Sequence, residues 1–326
     1  MRLTVRPEYW PVDGHFTISR GTLKEIPVIV IEVEDDGLTG RGEACGIRYK
    51  GETPDSMIAQ IEAVRKTVEA GLTRDAAQTL LPPGGARNAL DCALWELESL
   101  RTGTPAWQLA GIPEPRALTT AYTLSIDTPV NMAAKTRQKA GYELFKIKLG
   151  VDEHDLDRVR AVREAAPDAR LITDANEGWS RADLDRYVPA LHQLGVELIE
   201  QPLKRGEDHA LAGYDGPVPL CADESCQTTE SLDHLPAGGY QVVNIKLDKT
   251  GGLTEGLRLM QAALDRGYEL MIGCMVGTSL AMAPAFLIGQ HCRFVDLDGP
   301  LLQAKDRLGG FVYQKSQMLP GATWGA

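Results

Sequence analysis

Between residues 117 and 298 eight short apolar runs recur, at 117–124, 144–149, 170–174, 197–200, 219–223, 241–247, 269–275 and 293–298. Helical patterns fill the gaps, for example at 155–166 and 254–266. Parallel strands cannot be joined by a tight turn, so regular alternation of strand and helix implies a parallel sheet. Eight such units suggest closure into a barrel. An open doubly wound sheet is the alternative, but no glycine-rich dinucleotide fingerprint accompanies these strands.

The first ~110 residues differ in style. Segments 3–6, 15–19 and 26–33 read as strands, punctuated by Pro11, Asp13-Gly14 and Asp35-Asp36-Gly37. Ser19-Arg20-Gly21-Thr22 reads as a polar loop between two of them, and residues 40–51 as a second, glycine-containing loop that carries Arg48, Tyr49 and Lys50. A helix follows at 55–69, with Thr53 or Asp55 as N-cap. After Pro82-Pro83-Gly84-Gly85, the residues Ala86, Ala89, Leu90, Ala93, Leu94, Leu97 and Leu100 trace one face of another helix. This is an α+β unit over 1–113, ahead of the strand–helix unit over 114–299.

Charged residues sit at the C-terminal ends of the later strands. Lys148, Asp174, Glu200, Asp223 and Lys246 follow one another at intervals of 26, 26, 23 and 23 residues, one strand–helix unit each time. In a barrel these ends converge on one mouth. Residues two apart on a strand share a face, so Lys146 accompanies Lys148, and Asn244, Lys246 and Asp248 oppose Val243, Ile245 and Leu247. Asp296 and Asp298 likewise share a face opposite Val295 and Leu297.

Asp174, Glu200 and Asp223 are hard oxygen donors from three successive strands, suited to Mg²⁺, with Mn²⁺ as the alternative. Taken singly, each acid is equally well explained as the cap of a following helix, and Lys146-Ile147-Lys148 as a solubilising edge strand. Taken together, strands two and six place Lys148 and Lys246 on opposite sides of one site. A metal between them, and Lys146 beside Lys148, would lower a lysine's pKa toward that of a general base. Two such bases on opposite faces of a carbon acid describe an epimerisation.

The net charge is −11, which argues against nucleic acid or an anionic membrane as partner. The six cysteines are scattered, without CxxC or zinc spacing, so reduced thiols and a cytoplasmic location are expected. The N-terminus has no apolar targeting segment, and no apolar run is long enough to span a bilayer. A homo-oligomer is compatible with all of this.

The motifs Lys146-Ile147-Lys148, Thr173-Asp174-Ala175-Asn176, Ile199-Glu200-Gln201-Pro202, Ala222-Asp223-Glu224-Ser225 and Asn244-Ile245-Lys246-Leu247 resemble those of the enolase superfamily, in its muconate-lactonising-enzyme subgroup. The resemblance runs over essentially the whole chain. It implies an α/β fold: a modified TIM barrel, (β/α)₇β, with an α+β capping domain formed by residues 1–113 and the C-terminal tail 300–326. It implies one Mg²⁺ on Asp174, Glu200 and Asp223, Lys148 and Lys246 as the two bases, and Lys146 beside the substrate carboxylate. Lysine bases with Mg²⁺ are a general property of that superfamily.

Within the subgroup, Asp296-Leu297-Asp298 followed by Gly299-Pro300 is similar to the dipeptide epimerases. There the acidic pair is implied to bind the dipeptide's amino terminus, as charge complementarity allows, and L-Ala-D/L-Glu is the implied substrate, consistent with recycling of cell-wall peptide. Residues 18–22 resemble a mobile cap loop of the glutamate-specific members, which implies that Arg20 meets the side-chain carboxylate; Arg48 and Lys50 compete for that role. Cys274 and Met275 are implied to shape the pocket; Asn176 and Asp248 are expected, on their positions beside Asp174 and Lys246, to support it. Other side-chain specificities, other reactions of the subgroup such as cycloisomerisation or o-succinylbenzoate synthesis, and a non-catalytic Mg²⁺- or peptide-binding role are the alternatives.

Overall fold

The computed structural model describes residues 1–18, 21–321 and 324–325. The chain opens with an antiparallel sheet of β1 (Arg2–Ile18), β2 (Gly21–Asp35) and β3 (Leu38–Ala44), in that order. The strands expected at 3–6 and 15–19 fall in one element as far as Ile18, Ser19 lying outside the described residues. Pro11 and Asp13-Gly14 do not end it, because β1 is an edge strand, where a missing N–H is tolerated; the irregularity appears as a register shift between Pro11 and Phe16. β3 runs on to Ala44, so the second loop begins at Cys45 rather than Gly40.

Both faces of β2 are buried, which explains its nearly continuous apolar run. Ile26, Val28 and Val30 pack into the core shared with the barrel, while Ile29, Ile31 and Val33 face the helices. Those helices are α1 (Pro54–Glu69), α2 (Arg74–Leu80), α3 (Gly85–Thr102) and the short α4 (Ala106–Leu109). Thr53 is the N-cap of α1, in a reciprocal capping box with Ser56. β3 lies directly on α3: a Cβ at Gly42 would overlap the Ala89 carbonyl, so only glycine permits this approach.

After β4 (Leu118–Thr119) comes the barrel. It consists of β5 (Tyr122–Leu124), α5 (Pro129–Gln138), β6 (Leu144–Lys148), α6 (Asp155–Ala165), β7 (Arg170–Asp174), α7 (Arg181–Gln193), β8 (Val196–Glu200), β9 (Leu220–Ala222), β10 (Val242–Ile245), α8 (Leu247–Thr250), α9 (Leu253–Asp265), β11 (Glu269–Ile272), α10 (Ser279–Gly289) and β12 (Phe294–Val295). The eight strands pair in sequence order, every pair parallel. The ring closes where Ala121 N donates to Val295 O (2.8 Å). Seven of the eight predicted runs hold one of these strands whole, and the run at 197–200 covers all of β8 but Val196. The crossovers after β8 and β9 are 3₁₀ turns (Asp208–Leu211 and Thr229–His234) instead of α-helices; Gly213, Gly216, Pro217 and Pro219 follow the first, and Pro236, Gly238 and Gly239 the second.

Ala121, just ahead of β5, and one residue from each of the other seven strands, Leu144, Ile172, Leu198, Cys221, Val242, Met271 and Phe294, form an apolar floor inside the barrel. Two residues further along the chain, near or just past the C-terminal end of each strand, come Thr123, Lys146, Asp174, Glu200, Asp223, Asn244, Gly273 and Asp296. The barrel thus changes from apolar to ionic within one layer.

The tail returns to both units. β13 (Val312–Gln314) and β14 (Gln317–Leu319) form a hairpin that pairs with β4. Upstream of it Ala304 N donates to Pro11 O (2.9 Å), and Arg307 binds Glu8 and Glu43. Among the described residues no helix is long and apolar enough to cross a membrane.

α3 joins the N-terminal unit to the barrel at the strand that carries Lys246. Arg87 donates to the Thr250 and Gly251 carbonyls at the C-terminal end of α8 (2.6 and 3.0 Å). Asp91 accepts from Thr254 N (2.9 Å) and Thr254 Oγ1 (2.7 Å), and so caps α9, whose own N-cap, Gly252, has no side chain to offer. Both contacts match the sign of the helix dipole they meet. Asp91→Ala leaves a buried helix N-terminus unsatisfied and should cost about 1–3 kcal/mol of stability, read as a lowered urea midpoint with unchanged slope; an unaltered midpoint would contradict the capping role.

Candidate active site

The ionic layer is an interlocked set of lysines and acids. Lys148 Nζ donates to Asp174 Oδ2 (2.5 Å), Lys146 Nζ to Asp296 Oδ2 (2.7 Å), and Lys246 Nζ to Asp223 Oδ2 (2.6 Å). Lys146 also lies 2.7 Å from Glu200 Oε2 and 3.2 Å from Asp174 Oδ2, and Lys246 3.8 Å from Glu200 Oε1. All of these side chains are buried. An edge-strand role for the two lysines of β6 is therefore excluded: that strand is central and both ammoniums point into the barrel.

The acids are not helix caps either. Asp174 Oδ1 does accept from Asn176 N (2.8 Å), but the N-cap of the helix that follows is Ser180. Burial disfavours the Asp174 carboxylate, yet Lys148, Lys146 and Lys246 outweigh it and hold its pKa below the ordinary range. Glu200 goes the other way, pushed up to about 7 by burial and by Asp174 and Asp223 beside it. Burial also works against the ammoniums of Lys146 and Lys246, but the facing carboxylates, Asp296 and Glu200 for the first, Asp223 and Glu200 for the second, hold both pKa values well above normal.

Several residues that make this geometry work were not anticipated. Lys249 is fully buried and donates to Asp223 Oδ1 (2.7 Å) and to the carbonyls of Asp223, Cys226 and Asn244 (2.6, 2.8 and 2.8 Å). Its signal was its position three residues after Lys246. Asn244 Nδ2 donates to Glu200 Oε1 (2.8 Å). Gln201 Oε1 accepts from Asp223 N and Ser225 N (2.9 and 3.1 Å), which ties the end of β8 to the end of β9. Gly273 leaves room for Lys246: a Cβ there would lie 2.9 Å from Lys246 Cε. Asn176, Glu177 and Gln201 adopt positive φ (44°, 66° and 35°), strain concentrated at the mouth.

A cavity of about 430 Å³ opens above this layer, within the range of small-ligand sites. Lys146, Lys148, Lys246, Asp223, Asn176, Cys274, Met275, Asp296 and Asp298 all line it, as do Phe16, Ile18, Leu23 and Ile26 of the N-terminal sheet. A second cavity of about 330 Å³, between Asp13, Asp127 and Lys135, is lined by none of Lys146, Lys148 and Lys246. Asp296 and Asp298 lie just past the end of β12 rather than within it. Asp298 Oδ2 accepts from Thr123 N (2.6 Å), and burial together with Asp296 pushes its pKa up to about 7.

Of the cap-loop cations, Arg48 lines the cavity and Lys50 does not; Arg20 lies outside the described residues. Asp248 meets neither the acids nor the lysines. It turns outward and accepts from Gly46 N (2.8 Å), which fastens the cap loop to the strand of Lys246.

Among the described residues no three acid, histidine or cysteine side chains stand ready as an ion cage, because ammoniums lie between the carboxylates. The donor set nonetheless suits a hard divalent ion. Asp174, Glu200 and Asp223 are buried carboxylates from adjacent strands, linked through Lys146 and Lys246, with Asp223 on the cavity lining and the other two beneath it; Glu200 Oε2 accepts no hydrogen bond, its approach to Lys146 being out of line.

A barrel with an ionic C-terminal mouth beneath a separate α+β cap defines the enolase-type class. The chain belongs to the mandelate racemase / muconate lactonizing enzyme family: the model of that family's N-terminal domain matches residues 1–111, and an enolase C-terminal domain-like model matches residues 130–308. It is 46% identical over 302 residues to L-Ala-D/L-Glu epimerase of Escherichia coli (strain K12), covering 92% of this chain and 93% of that one. It is 44% identical to N-acetyl-D-glutamate racemase of a Pseudoalteromonas species, covering 91% and 95%. A crystal structure of an enolase family member from Agrobacterium tumefaciens with homology to dipeptide epimerases, holding sodium and L-Ala-L-Glu, superposes with a TM-score of 0.94 at 48% identity, covering 98% of this chain and 97% of that one.

Lys249→Met removes the cation that fixes Asp223 from below. Breaking one partner out of a buried ion pair should cost about 3–5 kcal/mol, seen as a large fall in the urea midpoint; a change within experimental error would contradict the structural role assigned to Lys249.

Proposed function

We propose that the protein is a dipeptide epimerase that interconverts L-Ala-L-Glu and L-Ala-D-Glu by moving the α-proton of the C-terminal residue. The observation that carries this reading is the placement of Lys148 and Lys246. Lys148 ends β6 and Lys246 directly follows β10, strands diametrically opposite in the ring of eight, and both enter one cavity. Binding alone has no use for a base on each side of a ligand, and inversion at carbon needs one on each face.

In this reading Asp174, Glu200 and Asp223 hold Mg²⁺, with Mn²⁺ able to use the same oxygen donors. When bound, the ion supplies Lewis-acid neutralisation of charge developing on the substrate carboxylate, and it draws the acids' charge away from the lysines. Lys148 takes the α-proton from one face as a neutral amine, while Lys246, as the ammonium, delivers a proton to the other; the reverse reaction exchanges the roles. Lys146 steadies negative charge at the carboxylate. Asp296 and Asp298 receive the substrate's amino terminus, an ammonium matched to two acids, and Cys274 and Met275 bound the pocket. Asn176 steadies Asp174, and Asp248 positions the cap loop. Residues 1–113, with part of the tail 300–326, act as the cap over a catalytic barrel at 114–299, and water is excluded when the cap covers the mouth. The setting is cytoplasmic turnover of cell-wall peptide.

Incubation with Mg²⁺ and a dipeptide panel in D₂O should place deuterium at the α-carbon of the C-terminal residue, most rapidly for L-Ala-L-Glu. N-acetyl-glutamate, which has no ammonium for Asp296 and Asp298, should exchange far more slowly. Exchange of N-acetyl-glutamate in preference to every dipeptide would replace this reading with an N-acyl amino acid racemase.

A further inference from the structure

A dipeptide ending in glutamate carries two carboxylates, and the site described above offers a cationic home to one. Lys146, Lys148 and Lys246 each lie within 2.5–2.7 Å of a protein carboxylate. The upper wall is acidic, with Asp223, Glu224, Asp296 and Asp298 on the cavity lining. A side-chain anion entering that field needs another cation on the roof.

Arg48 lines the cavity from that side, and among the described residues no ion pair holds its guanidinium. Its backbone is unusually well fixed for a loop. It begins the 3₁₀ turn Arg48–Lys50, closed by Gly51 N donating to Arg48 O (2.9 Å). Asp248 accepts from Gly46 N (2.8 Å), Glu52 Oε2 accepts from Ile47 N (2.6 Å), and Gln227 Nε2 donates to the Tyr49 hydroxyl (3.3 Å). Asp248 comes two residues after Lys246, and Gln227 four after Asp223. The segments that carry a proton-transfer lysine and a metal-binding acid therefore also fix the turn that carries Arg48. A cation held in register with the reacting centre by the same two segments is preorganised for recognition.

We propose that Arg48 is a specificity-determining residue that pairs with the distal carboxylate of an acidic C-terminal side chain; this rests on the dipeptide-epimerase reading above. Lys50, on the same turn, does not reach the cavity lining.

The test compares kcat and KM for L-Ala-L-Glu and its neutral isostere L-Ala-L-Gln, with Mg²⁺, in the wild type, Arg48→Gln and Arg48→Lys. Loss of a charge-assisted contact should raise KM for L-Ala-L-Glu by about tenfold or more in Arg48→Gln. KM for L-Ala-L-Gln and kcat for both should stay within about twofold, because nothing in the proton-transfer machinery is touched. Arg48→Lys should recover part of the loss. An unchanged preference for glutamate over glutamine in Arg48→Gln, with the wild type active, overturns the role of Arg48 alone. A wild type that turns over neither dipeptide overturns the epimerase reading and this inference together.

Discussion

The structure depends on the mutual neutralisation of charge inside the barrel. Burying a single ammonium or carboxylate costs several kcal/mol even after relaxation. Here Lys146, Lys148, Lys246 and Lys249 are buried alongside Asp174, Glu200, Asp223 and Asp296, and nearly every charge has an opposite one within hydrogen-bonding distance. The arrangement is not a stability device, since apolar residues would fill the same space at lower cost. It is a poised electrostatic site, in which Glu200 remains the acid least well served by its neighbours.

The rest of the fold keeps this layer in place. An apolar floor closes the barrel below it. Lys249 holds Asp223 from underneath, Asn244 holds Glu200, and Gln201 ties the ends of β8 and β9. The cap is not loosely laid on top. Arg87 and Asp91 of α3 grip both ends of the α8–α9 junction, and Asp248 holds the loop that bears Arg48. A shift of the N-terminal unit would therefore be felt at Lys246, because Asp248 and the α8–α9 junction lie on the same segment.

Much of this was legible in the sequence, for physical reasons. The interval of one strand–helix unit between Lys148, Asp174, Glu200, Asp223 and Lys246 is a direct imprint of barrel geometry, and strand parity then dictates which neighbours face inward. What could not be read depends on contacts distant in sequence. Lys249 stands in no pattern that marks it as buried, and its fully buried state follows only once Asp223 and Cys226 are brought over it. Asp248 shares a strand face with Lys246, which suggested the site, but α8 starts at Leu247 and turns it toward Gly46. The joining of the first two strand segments into β1 was hidden by Pro11 and Asp13-Gly14, which an edge strand tolerates and a central strand does not.

If Lys148 and Lys246 serve opposite faces of one carbon, the two faces can be separated by substitution. Lys148→Ala and Lys246→Ala should each fail to epimerise, yet each retains the base for one face. In D₂O with Mg²⁺, one variant should exchange the α-proton of L-Ala-L-Glu only and the other that of L-Ala-D-Glu only, each without inversion. Exchange of both epimers by either variant, or continued epimerisation, would contradict the account.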